Sequence, residues 1–239
     1  MIVSESVVPR ISILGLMVLA FGVRPVSLSP DESLPSPVVA APKSLSVDSS
    51  RCDTMATDHN AVYKRGVTLI HPYIIVQDRA PAESDRRTRE LLGGIACLDR
   101  ALELAPANWA AFWLRGKAFQ ALGDHARSVD SFRSAYRIRP LNPDVGRELA
   151  LEQMELGEFQ DAVSVGEKLA LAFPNDAGLK ANLALSLLLA GRVERARDTI
   201  DDAMRLDPND AVSRELKRRI DEVANGSRRQ PHSLKEFQQ

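Results

Sequence analysis

Residues 106–140 read PANWAAFWLRGKAFQALGDHARSVDSFRSAYRIRP, and residues 140–174 read PLNPDVGRELALEQMELGEFQDAVSVGEKLALAFP. Overlaid at a step of 34 residues, they place proline on proline, Gly123 on Gly157 and Gly116 on Ala150. The step holds through Pro106, Pro140, Pro174 and Pro208, and Gly191 continues the glycine column. Two small-residue columns keep it as well: Gly116, Ala150, Ala184 and Gly94, Ser128, Ala162, Ala196. A fixed period of this length marks an array of short units, each burying an apolar face against its neighbour.

Each unit divides into two helices. In the first, helix A is expected over about 108–122 and helix B over about 124–138. Gly123, Gly157 and Gly191 supply the left-handed residue that ends helix A. The closing prolines end helix B, because the residue before a proline is pushed out of the α region. Asn108, Asp124, Asp144 and Asp176 are the N-cap candidates. The small columns let paired helices approach, with Phe112, Phe119, Phe132, Leu149, Phe159, Leu183, Leu187 and Ile200 filling the core on either side.

Working outward, three regular repeats span 107–210. Residues 211–224 form a capping helix with Val212, Leu216, Ile220 and Val223 on one face. Residues 225–239 read as a disordered tail. On the other side, AVYKRGVTLI (61–70) aligns with AFWLRGKAFQ (111–120), Tyr63 falling on Trp113 and Gly66 on Gly116. Residues 59–106 therefore read as a degenerate first repeat whose second helix occupies about 84–104. The insertion 71–86 separates its two helices, and its apolar piece, Tyr73 to Val76, is expected to fold back onto the array.

Ile11 to Val23 run ISILGLMVLAFGV, too short for an ordinary membrane span and of a length that suits a secretory h-region. Residues 1–23 are read as a signal peptide, with Ala20 and Gly22 setting cleavage before Val23, or as an uncleaved N-terminal membrane anchor. Export to a periplasmic or extracellular space, or membrane tethering, follows; a cytoplasmic protein follows if the run is no signal. Residues 24–57, broken by Pro25, Pro30, Pro35, Pro37 and Pro42, read as a disordered Pro/Ser-rich linker.

The formal net charge of -1 lacks the basic footprint that nucleic acid demands. The two cysteines, Cys52 and Cys97, are too few for a structural zinc site. They could pair if the protein is exported; otherwise Cys97, in the column of Ser131, Val165 and Thr199, is a small packed residue. His59, His71, His125 and His232 are scattered, and His125 shares a column with Phe159 and Val193, which reads as packing. No phosphate loop, zinc-protease motif or nucleophile elbow occurs. No catalytic residue, metal ligand or cofactor is assigned.

The pattern resembles the tetratricopeptide repeat. The period, the small residue in helix A, the glycine turn, the small residue early in helix B, Ala101/Ala135/Ala203 late in helix B and the closing proline all match. The resemblance implies an all-α fold of antiparallel helix pairs stacked in a right-handed superhelix, an α-solenoid. Phe112 replaces the usual Trp, Arg115 stands where Leu is usual, and Gly166 takes the column of Phe132 and Ile200. This last departure predicts loose packing in the unit 143–176.

The resemblance also implies a concave groove lined by helix A residues. Here those are Tyr63, Trp113, Lys117, Gln120 and Arg147, followed by Glu148, Leu151, Glu155, Asn182 and Leu185. Tyr63 and Trp113 are the candidate anchors, and packing between adjacent A helices is the competing role for Trp113. The function implied is a non-enzymatic scaffold that binds a peptide or partner protein in an exported or membrane-tethered assembly. The alternatives are a self-associating structural array and an accessory domain of an enzyme complex.

Overall fold

The computed structural model describes residues 58–74 and 86–238. The signal and linker readings for 1–57 and most of the insertion lie outside those residues.

Ten α-helices follow one another among the described residues, with no strand. They are α1 His59–Ile70, α2 Arg87–Leu104, α3 Trp109–Ala121, α4 His125–Ile138, α5 Pro143–Glu155, α6 Phe159–Ala172, α7 Ala177–Leu189, α8 Val193–Leu206, α9 Ala211–Ala224 and α10 Leu234–Gln238. Consecutive helices pack antiparallel as α1/α2, α3/α4, α5/α6 and α7/α8, each pair resting on the next, and α9 closes the stack against α7 and α8. The architecture is an α-solenoid.

Local chemistry sets these bounds. Gly123, Gly157 and Gly191 carry φ of 73°, 77° and 74°, a conformation that closes helix A at low cost only for glycine. The Asn108, Asp124 and Asp176 side chains accept from Ala111, Arg127 and Leu179 N–H at 3.1, 3.0 and 2.9 Å. The cap of α5 is not Asp144. Asn142 accepts from the Asp144 and Val145 N–H groups, because Pro143 takes the first helical position, where its missing N–H costs nothing.

The small columns sit where helices cross. The Ser128 hydroxyl donates to the Gly116 carbonyl at 3.0 Å, and a Cβ on Gly116 would lie 2.6 Å from Phe132 Cε1. The unit 143–176 is not loosely packed at Gly166. A Cβ there would lie 3.0 Å from Leu183 Cδ1, so the side chain of the next repeat occupies the space that a larger residue takes elsewhere. Arg115, the other departure, pairs with Asp99 at 2.9 Å, and Arg115 and Arg127 stand over the Phe119 ring at 5.6 and 4.5 Å.

The core falls into two large apolar clusters. One joins α1, α2 and α3 around Ile70, Leu91, Ile95, Leu98 and Phe119; the turn after α1 adds Tyr73 and Ile74. The Tyr73 hydroxyl donates to Glu90 at 2.8 Å. The other runs from Phe132 through α5–α9 around Leu149, Leu169, Leu187, Ile200 and Ile220. Cys97 is fully buried and disulfide-bonded; Cys52 lies outside the described residues.

The tail does not follow the sequence reading. After Gly226, at φ 79°, the chain returns and forms α10, whose Leu234 and Phe237 are 2% and 6% exposed within the second cluster. Long-range contacts made by two apolar residues override the local signals of a frayed end.

Candidate functional site

The A helices α3, α5, α7 and the capping helix α9 stand side by side, and the 34-residue step carries one face from each to the next. On α3 and α5 this face is polar. Lys117 Nζ lies 2.9 Å from Glu148 Oε1. Gln120 Nε2 donates to Glu148 at 3.1 Å and to Glu152 at 2.9 Å, using both amide hydrogens. His125 Nδ1 completes the chain 3.0 Å from Glu152 Oε2. Lys117, Glu148 and Glu152 are buried, so the network is a seam between helices rather than a wet surface. It stands beside the junction of the two apolar clusters.

Glu155 is exposed at the rim of the same seam. Partial burial pushes its carboxyl above the usual range; nearby His125 opposes the rise and Glu152 adds to it. Arg147 turns away from the network. It reaches Asp144 at 3.3 Å and Asp176 at 3.8 Å, while its Nε is buried without a hydrogen-bond partner.

Farther along, the face is apolar. Leu151 is partly buried, Leu185, Leu188 and Leu189 are buried, and all four belong to the second cluster. Asn182 is buried, and its carbonyl accepts from Ser186 at 2.9 Å. Trp113 is partly buried and packs against both clusters, with its indole N–H buried and unpartnered. Tyr63 packs on the first cluster at the far end and stacks with His59 at 6.3 Å; burial pushes its hydroxyl pKa up.

Of the ten residues expected to line a groove, Lys117, Gln120 and Glu148 come together in one network. Arg147 lies at the helix starts, Leu151 and Leu185 join the apolar half, and Tyr63 is apart on α1. Sequence reasoning missed Glu152, His125 and Leu188. Glu152 stands four residues after Glu148 on one helix face, and Leu188 shares the column of Gln120, so spacing held a signal for both. Among the described residues no group of three or more His, Cys, Asp or Glu is set to hold a metal ion, and no helix is long and apolar enough to cross a membrane.

Residues 82–143 and 153–220 each match a family model described as tetratricopeptide repeat. The chain belongs to the tetratricopeptide repeat family. Solved tetratricopeptide arrays superpose on it. The MamA protein covers 74% of this chain and 89% of its own at a TM-score of 0.56 and 14% identity. MamA from Desulfovibrio magneticus RS-1, residues 41 to the end, covers 72% and 98% at 0.52 and 16%. YrrB, described as a tetratricopeptide protein with an unusual peptide-binding site, covers 62% and 75% at 0.51 and 20%. At such identities the likeness is one of fold. A curated protein, the transcription factor tau 131 kDa subunit of Saccharomyces cerevisiae, is 24% identical over 121 residues. That match takes in 51% of this chain but only 11% of the yeast protein's length.

Proposed function

We propose that this tetratricopeptide array is a non-enzymatic scaffold that holds a segment of a partner protein on its A-helix face, within an exported or membrane-tethered assembly. One observation carries the binding reading: the face already holds a short peptide segment, the chain's own residues 230–237, against α7 and α9. A surface that seats one segment through a side chain to backbone hydrogen bond and two apolar anchors has the chemistry to seat another. YrrB, a neighbour in fold, is described as having a peptide-binding site, which fits the same use.

The case for export rests on the apolar run 11–23 and on the disulfide at Cys97, a bond that persists in oxidising compartments. The test is site-specific photocrosslinking in the native host. A crosslinker at Glu155, on the rim of the face, is expected to trap a discrete partner, whereas one at Asp198, exposed on α8, is not. Equal trapping at both positions, or a trapped product that is a second copy of this chain, refutes the reading.

A further inference from the structure

The seat of the C-terminal tail specifies a partner chemistry. Gln230 donates from its side-chain amide to the Leu188 carbonyl on α7. Arg219 on α9 lies 4.8 Å over the Phe237 ring and donates to the Phe237 carbonyl. Leu234 and Phe237, three residues apart, stand on one side of the short α10 and are buried. Leu188 and Arg219 lie in the A-helix columns of Gln120 and Lys117, so the tail covers the far end of the face whose near end is the polar seam.

A cavity of about 410 Å³ lies under the arch of the tail, walled mostly by residues 228–232, Glu236 and Phe237 and closed on the other side by Leu188, Arg219 and Val223. A second, of about 420 Å³, opens on the other side of His232 towards Phe159 and Leu189. The segment is short and follows a turn at Gly226, and α9 rests on α7 and α8 as well as on the tail.

We propose that the tail is an intramolecular stand-in for the partner, and that the partner is an amphipathic segment carrying a Leu and a Phe three residues apart, which displaces the tail from α7 and α9. This rests on the binding reading above and adds to it the ligand class and an autoinhibited resting state. A chain whose seat is occupied binds its ligand with an affinity reduced by the fraction of time the seat is free.

The test uses the full chain and a fluorescent peptide, RRQPHSLKEFQQ, corresponding to residues 228–239. The full-length variant Leu234→Ala/Phe237→Ala is expected to bind this peptide roughly tenfold more tightly than the wild type. A peptide bearing the same two alanines is expected to bind neither chain. Equal affinity for both chains, or no binding to a variant that keeps its helical circular dichroism, overturns the proposal. Should the variant unfold, hydrogen exchange on the wild-type chain decides. Saturating free peptide must lower protection at 234–238 and leave 211–224 protected, and unchanged protection at 234–238 overturns the proposal. Selective trapping at Glu155 together with failure of the peptide leaves the scaffold reading standing and removes only this one.

Discussion

The Lys117 ammonium lies 2.9 Å from the Glu148 carboxylate, with side chains only 4% and 5% exposed. A buried pair of this kind gains little over well-packed apolar residues, but each partner becomes a burden once the other is gone. Glu148→Ala is expected to destabilise the array by about 3 kcal/mol, since it strands Lys117 and removes an acceptor of Gln120. The double change Lys117→Met with Glu148→Leu is expected to recover most of that loss. Chemical denaturation of the single and double variants measures both, and a double variant no better than the single one refutes the account.

The small columns make a second expectation. Ala162 and Ala196 are fully buried at the helix A to helix B crossings. Ala162→Leu or Ala196→Leu should each cost roughly 1–3 kcal/mol by overpacking. Gly116→Ala should also destabilise, because the added Cβ meets the Phe132 ring at 2.6 Å and the ring is fully buried. Unchanged melting temperatures in all three would show that the helices are held apart by something else.

The period was legible because it is enforced locally: a left-handed glycine, a proline and a cap each act within a few residues, so each leaves a mark in sequence. The helix A face that the family resemblance implies groups Lys117, Gln120 and Glu148, so their common side was legible. Their burial was not, because it depends on which neighbour covers the face. Lys117 and Glu148 are 31 residues apart, and either could have faced water. The column of Phe159 and Val193 gives His125 a packing role, yet it bonds to Glu152, a residue its own column does not contain. The tail was illegible for a related reason. Leu234 and Phe237 are too few to make an amphipathic signal, and Arg219 and Leu188, which hold the segment, lie in other helices.

Acid should reach the tail through Glu215. Hydrogen bonds from Arg218, with further help from Arg219, hold its carboxyl at about 2, against an ordinary 4.5. The folded value is depressed, so the stabilisation is present above the ordinary value and is lost as pH falls from about 4.5 through about 2. Glu215 accepts from Arg219 at 2.8 Å, and Arg219 stands over Phe237, so protonation frees the arginine that clamps the tail. An NMR titration of the Glu215 carboxyl is expected to have its midpoint well below the ordinary one, with tail resonances shifting in step. A midpoint near 4.5 would mean the arginines do not hold it in solution.

Trp113 separates packing from binding. Its ring touches both apolar clusters, and its indole N–H is buried without a partner. Trp113→Ala removes the side chain that, among the described residues, packs on both large clusters, and should cost about 3 kcal/mol, at the lower end for a large aromatic because the ring is only partly buried. Trp113→Phe keeps most of the contact and deletes the unpaired donor, whose burial itself costs about 1–3 kcal/mol. That variant should match the wild type in stability or exceed it. The N–H has a second use if binding turns the ring and brings this buried donor out to a partner's carbonyl. Trp113→Phe should then leave the melting temperature intact while reducing the yield of partner trapped from Glu155. Intact stability with intact trapping assigns Trp113 to the core alone. A Trp113→Ala variant as stable as the wild type would mean that the two clusters are not joined through this residue.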